Sequence, residues 1–162
     1  MSNAEIDLIP MDEADFRTYT SQSVAEYALE HIRNGRWTAE EGLQKAEAEF
    51  QQLLPDGLAS QDQYLFSIKK KALREQVGIL WFGVQKRGGK AEAFVYDIKI
   101  EEQFRRRGYA EQAFLALEEK VHALGFDTIG LHVFGHNHAA RALYEKLGYV
   151  PINIVMSKKL NS

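Results

Sequence analysis

The stretch Asp97-Ile98-Lys99-Ile100-Glu101-Glu102-Gln103-Phe104-Arg105-Arg106-Arg107-Gly108-Tyr109-Ala110 decides how the chain is read. An extended run ends at Ile100, three arginines and a glycine make a turn, and a new periodicity begins. Tyr109, Ala113, Leu117, Val121 and Leu124 fall on one helical face, so 108–124 is predicted to be a helix that Gly125 ends. Strand, glycine turn and helix start in that order form an anion site, because the first helix amides lack internal acceptors and the helix dipole is positive there. A pyrophosphate fits such a site. Gly108 lets the backbone close on a phosphate, and Ala110 keeps the next position small. Arg105, Arg106 and Arg107 supply charge for a ribose phosphate or serve solubility alone. The pattern has little specificity by itself and gains it from its setting between strand and helix.

Upstream, the grammar is that of hairpins. Residues 6–10 read as an opening strand, Asp12 as the N-cap of a helix over 12–34, and Asn34-Gly35 as its end. Thr38 and Glu41 form a capping-box pattern that launches a second helix toward Leu54, stopped by Pro55, Asp56 and Gly57. Strands are predicted over 64–70, 77–87 and 91–101, the last two joined at Gly88-Gly89. Downstream, units alternate: a strand over 128–134, a helix over 139–147 closed by Gly148, and one or two final strands over 149–158. The order is β-α-α-β-β-β-α-β-α-β, an α/β chain whose mixed, largely antiparallel sheet carries helices on both faces. No repeat, linker or low-complexity tract divides residues 1–162, so one domain is expected.

Composition narrows the functional classes. Apolar residues make up 45% and charged residues 27% of the chain, the balance of a globular protein rather than a disordered or fibrous one. The apolar runs are too short for a membrane span and the N-terminus lacks a secretion profile, so no membrane partner and a cytoplasmic location are expected. With no cysteine, no acyl-cysteine intermediate can form. The net charge of −3 hides a polarity: residues 1–60 hold 12 acidic against 4 basic residues, and residues 61–162 hold 11 against 16. A basic second part suits a phosphate-bearing ligand and an acidic first part a cationic one; uneven surface charge is the plain alternative. Three adjacent arginines also suit nucleic acid. An acidic chain without an extended basic face argues against it.

The second motif lies in Leu131-His132-Val133-Phe134-Gly135-His136-Asn137-His138-Ala139-Ala140-Arg141-Ala142-Leu143-Tyr144-Glu145-Lys146-Leu147-Gly148-Tyr149. Its N-x-x-A-x-x-x-Y-x-x-x-G-[FY] pattern resembles the second motif of the GNAT acetyltransferase superfamily, and Arg105–Ala110 resembles that superfamily's R/Q-x-x-G-x-G/A motif. Both occur in the right order, one helix and one strand apart. The resemblance implies a GNAT-like sheet splayed between the strand ending at Ile100 and the strand carrying Leu131, with acetyl-CoA as co-substrate in the cleft. It implies that pantetheine pairs with backbone at Ile98 and Ile100, with Lys99 between them, and that a bulge turns the Ile100 amide toward the thioester oxygen. The turn residues Arg105, Arg106, Arg107, Gly108, Tyr109 and Ala110 would then bind the diphosphate.

The same resemblance assigns Tyr144 as general acid beside the CoA sulfur, since a phenol of pKa about 10 can hydrogen-bond or protonate a departing thiolate. A core aromatic on the face Ala140-Tyr144-Leu147 is the competing reading. Asn137 matches a cofactor-contacting Asn and also a helix N-cap. A carboxylate in or near the strand serves as base in the family; Asp97 is the nearest, with Glu92 as alternative and a structural role for Asp97 also open. Phe94 stands where the histone-modifying branch carries glutamate, so that branch's mechanism does not transfer. His132, His136 and His138 do not converge on a metal by this reading, and no metal is expected. His132 instead suits the acceptor pocket.

The implied reaction is direct transfer to a primary amine of a small molecule or peptide. Deprotonating a lysine-like amine at pH 7 costs about 4.6 kcal/mol, against about 1 kcal/mol for an α-amine. Glu26, Glu30 and Glu40 are candidates for steering the cation, with Trp37 and Tyr27 as an aromatic wall; an exposed acidic helix with Trp37 packed inward is equally consistent. An acyl-CoA sensor without efficient catalysis is the alternative function. A homodimer through the final strands is compatible with the pattern.

Overall fold

A computed structural model describes residues 4–161. Five strands, β1 (Ile6–Pro10), β2 (Gln63–Lys70), β3 (Gln76–Arg87), β4 (Lys90–Ile100) and β5 (Ile129–Leu131), form one sheet in sequence order. The first four are antiparallel and β5 joins β4 in parallel. Four helices accompany them: α1 (Glu13–Arg33), α2 (Gly42–Leu53), α3 (Tyr109–Ala123) and α4 (His138–Lys146). Two compact units emerge, one running to Leu131 and the other beginning at His132.

In the first unit the sheet carries helices on both faces. Leu65, Ile79 and Trp81 pack against Met11, Tyr19 of α1 and Leu54 after α2. On the opposite face Lys120 of α3 lies 5.2 Å over the Phe66 ring. Ala113, Phe114, Leu117 and Val121 of α3 are buried at helical spacing, as the sequence requires. Fully buried side chains such as Phe82 and Phe114 each contribute about 1.5–3 kcal/mol through apolar burial.

Local chemistry sets the element ends. Asp12 Oδ1 accepts from the Asp15 amide at 2.8 Å, capping α1 as predicted. Thr38 and Glu41 make both capping-box bonds, the Thr38 amide to Glu41 Oε1 at 3.1 Å and the Glu41 amide to Thr38 Oγ1 at 3.3 Å. The helix itself starts later than the box implies, at Gly42, because residues 39–41 make a turn. Gly88 and Gly89 have φ of +59° and +80°, the left-handed pair that a two-residue hairpin needs.

In the second unit, α4 is capped by Asn137, whose Oδ1 accepts from the Ala140 amide at 3.2 Å. Two expectations are corrected there. Strand β5 ends at Leu131 rather than at residue 134, and no strand follows α4 among the described residues. A strand exists only where another backbone pairs with it. The apolar alternation of 149–158 is genuine, but Ile152, Ile154 and Val155 are exposed, so their pattern has no ladder to express it.

Candidate active site

The candidate site begins at the outer edge of β4. The Glu101 amide donates to the Val77 carbonyl at 2.8 Å, which makes that pair a hydrogen-bonded one. In an antiparallel ladder such pairs alternate with non-bonded ones. With Ile79 opposite Lys99 and Trp81 opposite Asp97, those residues exchange bonds with β3, whereas Ile98 and Ile100 turn their amides and carbonyls away from it. The ladder with β5 covers only Ala93, Phe94 and Val95. The two strands therefore cease pairing just before the edge on which Ile98 and Ile100 present their polar groups.

A bulge is present, but not at Ile100. The register slips between Trp81 and Phe82, leaving Tyr96 as the extra residue between Val95 and Asp97, while Ile100 stands in regular pairing opposite Gly78. The expected bulge at Ile100 is thus corrected. Its consequence lies in side-chain direction, because one added residue reverses the alternation of faces along the strand. Tyr96 packs with the α1 cluster, and Asp97 follows it onto that face.

There the Tyr19 hydroxyl donates to Asp97 Oδ2 at 2.8 Å. Lys99, two residues on, pairs with Glu26 of α1. Loss of water around Asp97 pushes its carboxyl above the usual range, against the lowering effects of the Tyr19 hydrogen bond and of Lys99; Glu26 adds to the rise. Burial, with the Asp97 charge beside it, holds the Tyr19 phenol well above its ordinary value, so it remains a donor. A carboxyl with raised proton affinity therefore sits beside the open edge.

The turn after β4 has the form an anion requires. A 3-10 turn, Glu102–Phe104, leads to Arg105, whose Nε donates to the Ile100 carbonyl at 2.8 Å. Arg106 has φ of +63° and Gly108 φ of +79°, both in the left-handed region. The first helical bond of α3 runs from the Gln112 amide to the Gly108 carbonyl, so the amides of Tyr109 and Ala110 precede the ladder, and no side chain caps the helix. A Cβ on Gly108 would meet nothing within 4 Å. Glycine is required there by backbone conformation, and the space before it is open. Arg106 and Arg107 are exposed beside it, Ala110 is half-buried, and the Tyr109 ring is buried, leaving its amide as its contribution.

Other predicted residues fall elsewhere. Lys99, expected at the cofactor edge, gives its backbone to β3 and its charge to Glu26, so Glu26 is not a bare carboxylate either. Trp37 is corrected from acceptor wall to core: it is buried with Ala28 and Ala46, its edge against Tyr27. Glu30 and Glu40 are exposed. Glu92 is buried and meets Arg87 Nε at 3.3 Å. In the second unit His132 is exposed and follows the end of β5 instead of lying on a strand, its ring 5.0 Å from Phe134. Tyr144 is half-buried, with its ring 5.8 Å from that of Tyr149. Tyr19 was not singled out from sequence. Its signal was the stripe Tyr19, Ser23, Glu26 on one face of α1.

Comparison with known proteins gives concordant results. The model of the Acetyltransferase (GNAT) family matches residues 23–149. The uncharacterized N-acetyltransferase YycN of Bacillus subtilis (strain 168) is 38% identical over 153 residues, 94% of this chain and 97% of its own. Its crystal structure superposes with a TM-score of 0.87, covering 97% of this chain and 99% of that one. The uncharacterized N-acetyltransferase YdgE of the same organism is 35% identical over 150 residues, 93% of this chain and 95% of its own. AAC(6')-Iy, in complex with a CoA bisubstrate analogue, shares the fold at a TM-score of 0.61 and 15% identity, covering 98% of this chain and 100% of that one.

Proposed function

The chain belongs to the GNAT acetyltransferase family, and on that premise we propose that it transfers the acetyl group of acetyl-CoA directly to a primary amine of a small molecule or peptide. The observation that carries this reading is the outward parity of Ile98 and Ile100 at the point where β5 stops pairing. An amide-bearing arm can add to that edge as a further strand would. The residues present fit the co-substrate: the amides of Tyr109 and Ala110, behind the left-handed Gly108, would donate to the diphosphate oxygens, with Arg106 and Arg107 adding charge. When bound, acetyl-CoA supplies the activated acyl group. Everything else falls to the chain.

The Ile98 and Ile100 amides orient the thioester arm, and one of them faces oxygen charge as it develops. Asp97 takes a proton from the acceptor's ammonium, leaving the neutral amine whose lone pair attacks the thioester carbon, a role its raised proton affinity suits. Tyr144 and Asn137 are assigned from their motif: Tyr144 returns a proton to the departing sulfur, and Asn137 contacts the cofactor besides capping α4. Glu30 and the Glu26–Lys99 pair stand on the acidic side toward which a cationic acceptor is drawn.

The test is thiol release from acetyl-CoA in the presence of spermidine, kanamycin, free lysine and an alanine-ended hexapeptide. Acceptor-dependent thiol with a matching 42 Da gain on one amine, the acetyl increment of roughly that mass, supports the reading. Calorimetric binding of acetyl-CoA with no release for any amine supports the sensor reading instead, and no binding at all refutes both.

A further inference from the structure

We propose that Tyr19 is a positioning residue for Asp97, holding one carboxylate oxygen so that the other is presented to the acceptor amine. This rests on the reading of Asp97 as general base.

The geometry is built from two elements. Tyr19 is 5% exposed and fixed among Met11, Leu54, Leu65, Ile79 and Trp81, so its ring cannot swing away. Its hydroxyl lies 2.8 Å from Asp97 Oδ2, a bond joining residues 78 apart in sequence. Ser23, also buried, lies one helical turn along α1 on the same face. One turn further, Glu26 clasps Lys99, and the two contacts hold α1 along β4. The Tyr96 bulge completes the arrangement, since regular alternation from Val95 would carry Asp97 to the α3 face.

A buried tyrosine needs a partner for its hydroxyl in any role; what ties Tyr19 to the site is that its partner is the Asp97 carboxylate. With Oδ2 engaged, Oδ1 is the oxygen left for a proton, and its direction is set by a donor that cannot ionise at working pH. The charged and titratable groups facing Asp97 are Tyr19 and Glu26 from α1 and Lys99 on its own strand; β3 places Trp81 opposite. Of these only Tyr19 bonds the carboxylate with a neutral hydroxyl, which stabilises the ionised form without neutralising it.

The experiment follows the Asp97 carboxyl by carbon-13 NMR across a pH titration of the full chain, its signal assigned by its loss in Asp97→Asn. Tyr19→Phe keeps the ring and removes the donor. The Asp97 midpoint is expected to move upward in Tyr19→Phe; should that variant fold poorly, 3-fluorotyrosine at position 19, a more acidic donor on the same ring, is expected to move it downward, and an unmoved midpoint there overturns the proposal. The acid limb of kcat/KM with acetyl-CoA and the amines above is expected to follow the same upward shift, with plateau kcat down about tenfold. An unmoved midpoint in Tyr19→Phe, with Asp97→Asn inactive, overturns Tyr19 and leaves the base assignment standing. Full turnover by Asp97→Asn removes the base assignment, and the role of Tyr19 with it.

Discussion

Asp97 concentrates the conflict between stability and chemistry. Its folded carboxyl has a higher proton affinity than the ordinary value of 3.8, so the folded state holds the proton more tightly than the unfolded chain. The associated stability is complete below that ordinary value and is lost as pH rises through the folded value. Asp97→Asn is therefore expected to raise the thermal midpoint at pH 7 relative to wild type, and the gap should shrink toward pH 4. The same variant should lose roughly 10²–10⁴-fold in kcat, the usual contribution of a positioned base. Calorimetry and steady-state rates on one preparation check both. For Tyr144→Phe the expected result is a fall in kcat of about 10–100-fold with acetyl-CoA affinity nearly unchanged, because the ring remains and only the hydroxyl is lost. Equal rates would remove Tyr144 from the chemistry.

Strand β4 acts through its register. Gly78 of β3 stands opposite Ile100, and a Cβ there would lie 2.1 Å from the Lys99 carbonyl, a backbone atom that cannot step aside. Gly78→Ala is expected to cost on the order of 1–3 kcal/mol in urea unfolding and to weaken acetyl-CoA binding, because the displaced strand carries Ile98 and Ile100. Gly108→Ala differs: open space surrounds the position, and the cost of about 1 kcal/mol or more arises from φ of +79°. Stability should change less than in Gly78→Ala, with acetyl-CoA affinity the more sensitive readout. The capping box before α2 shows the opposite situation, in which neighbouring residues suffice. Thr38 and Glu41 satisfy each other's amides over three residues, so the sequence pattern alone identified the contact.

Across the whole chain, charge is divided between an acidic first part and a basic second part. Acetyl-CoA affinity is expected to fall by roughly tenfold between 50 mM and 500 mM salt, read by calorimetry, because exposed arginines attract phosphate over distances that salt screens. No helix among the described residues is long and apolar enough to cross a membrane. The sequence alone carried the strand and helix order through α4, the left-handed turn at Gly108, both family motifs and the caps at Asp12 and Asn137, because each depends on neighbours a few residues apart. The bulge at Tyr96 and the Tyr19–Asp97 bond were not readable there, and the choice of inward packing for Trp37 and the outward parity of Ile98 and Ile100 were not decided there. They depend on which strand or helix lies opposite, and one residue of register reverses every face. Such pairing joins positions as far apart as 19 and 97, and folding alone brings them together.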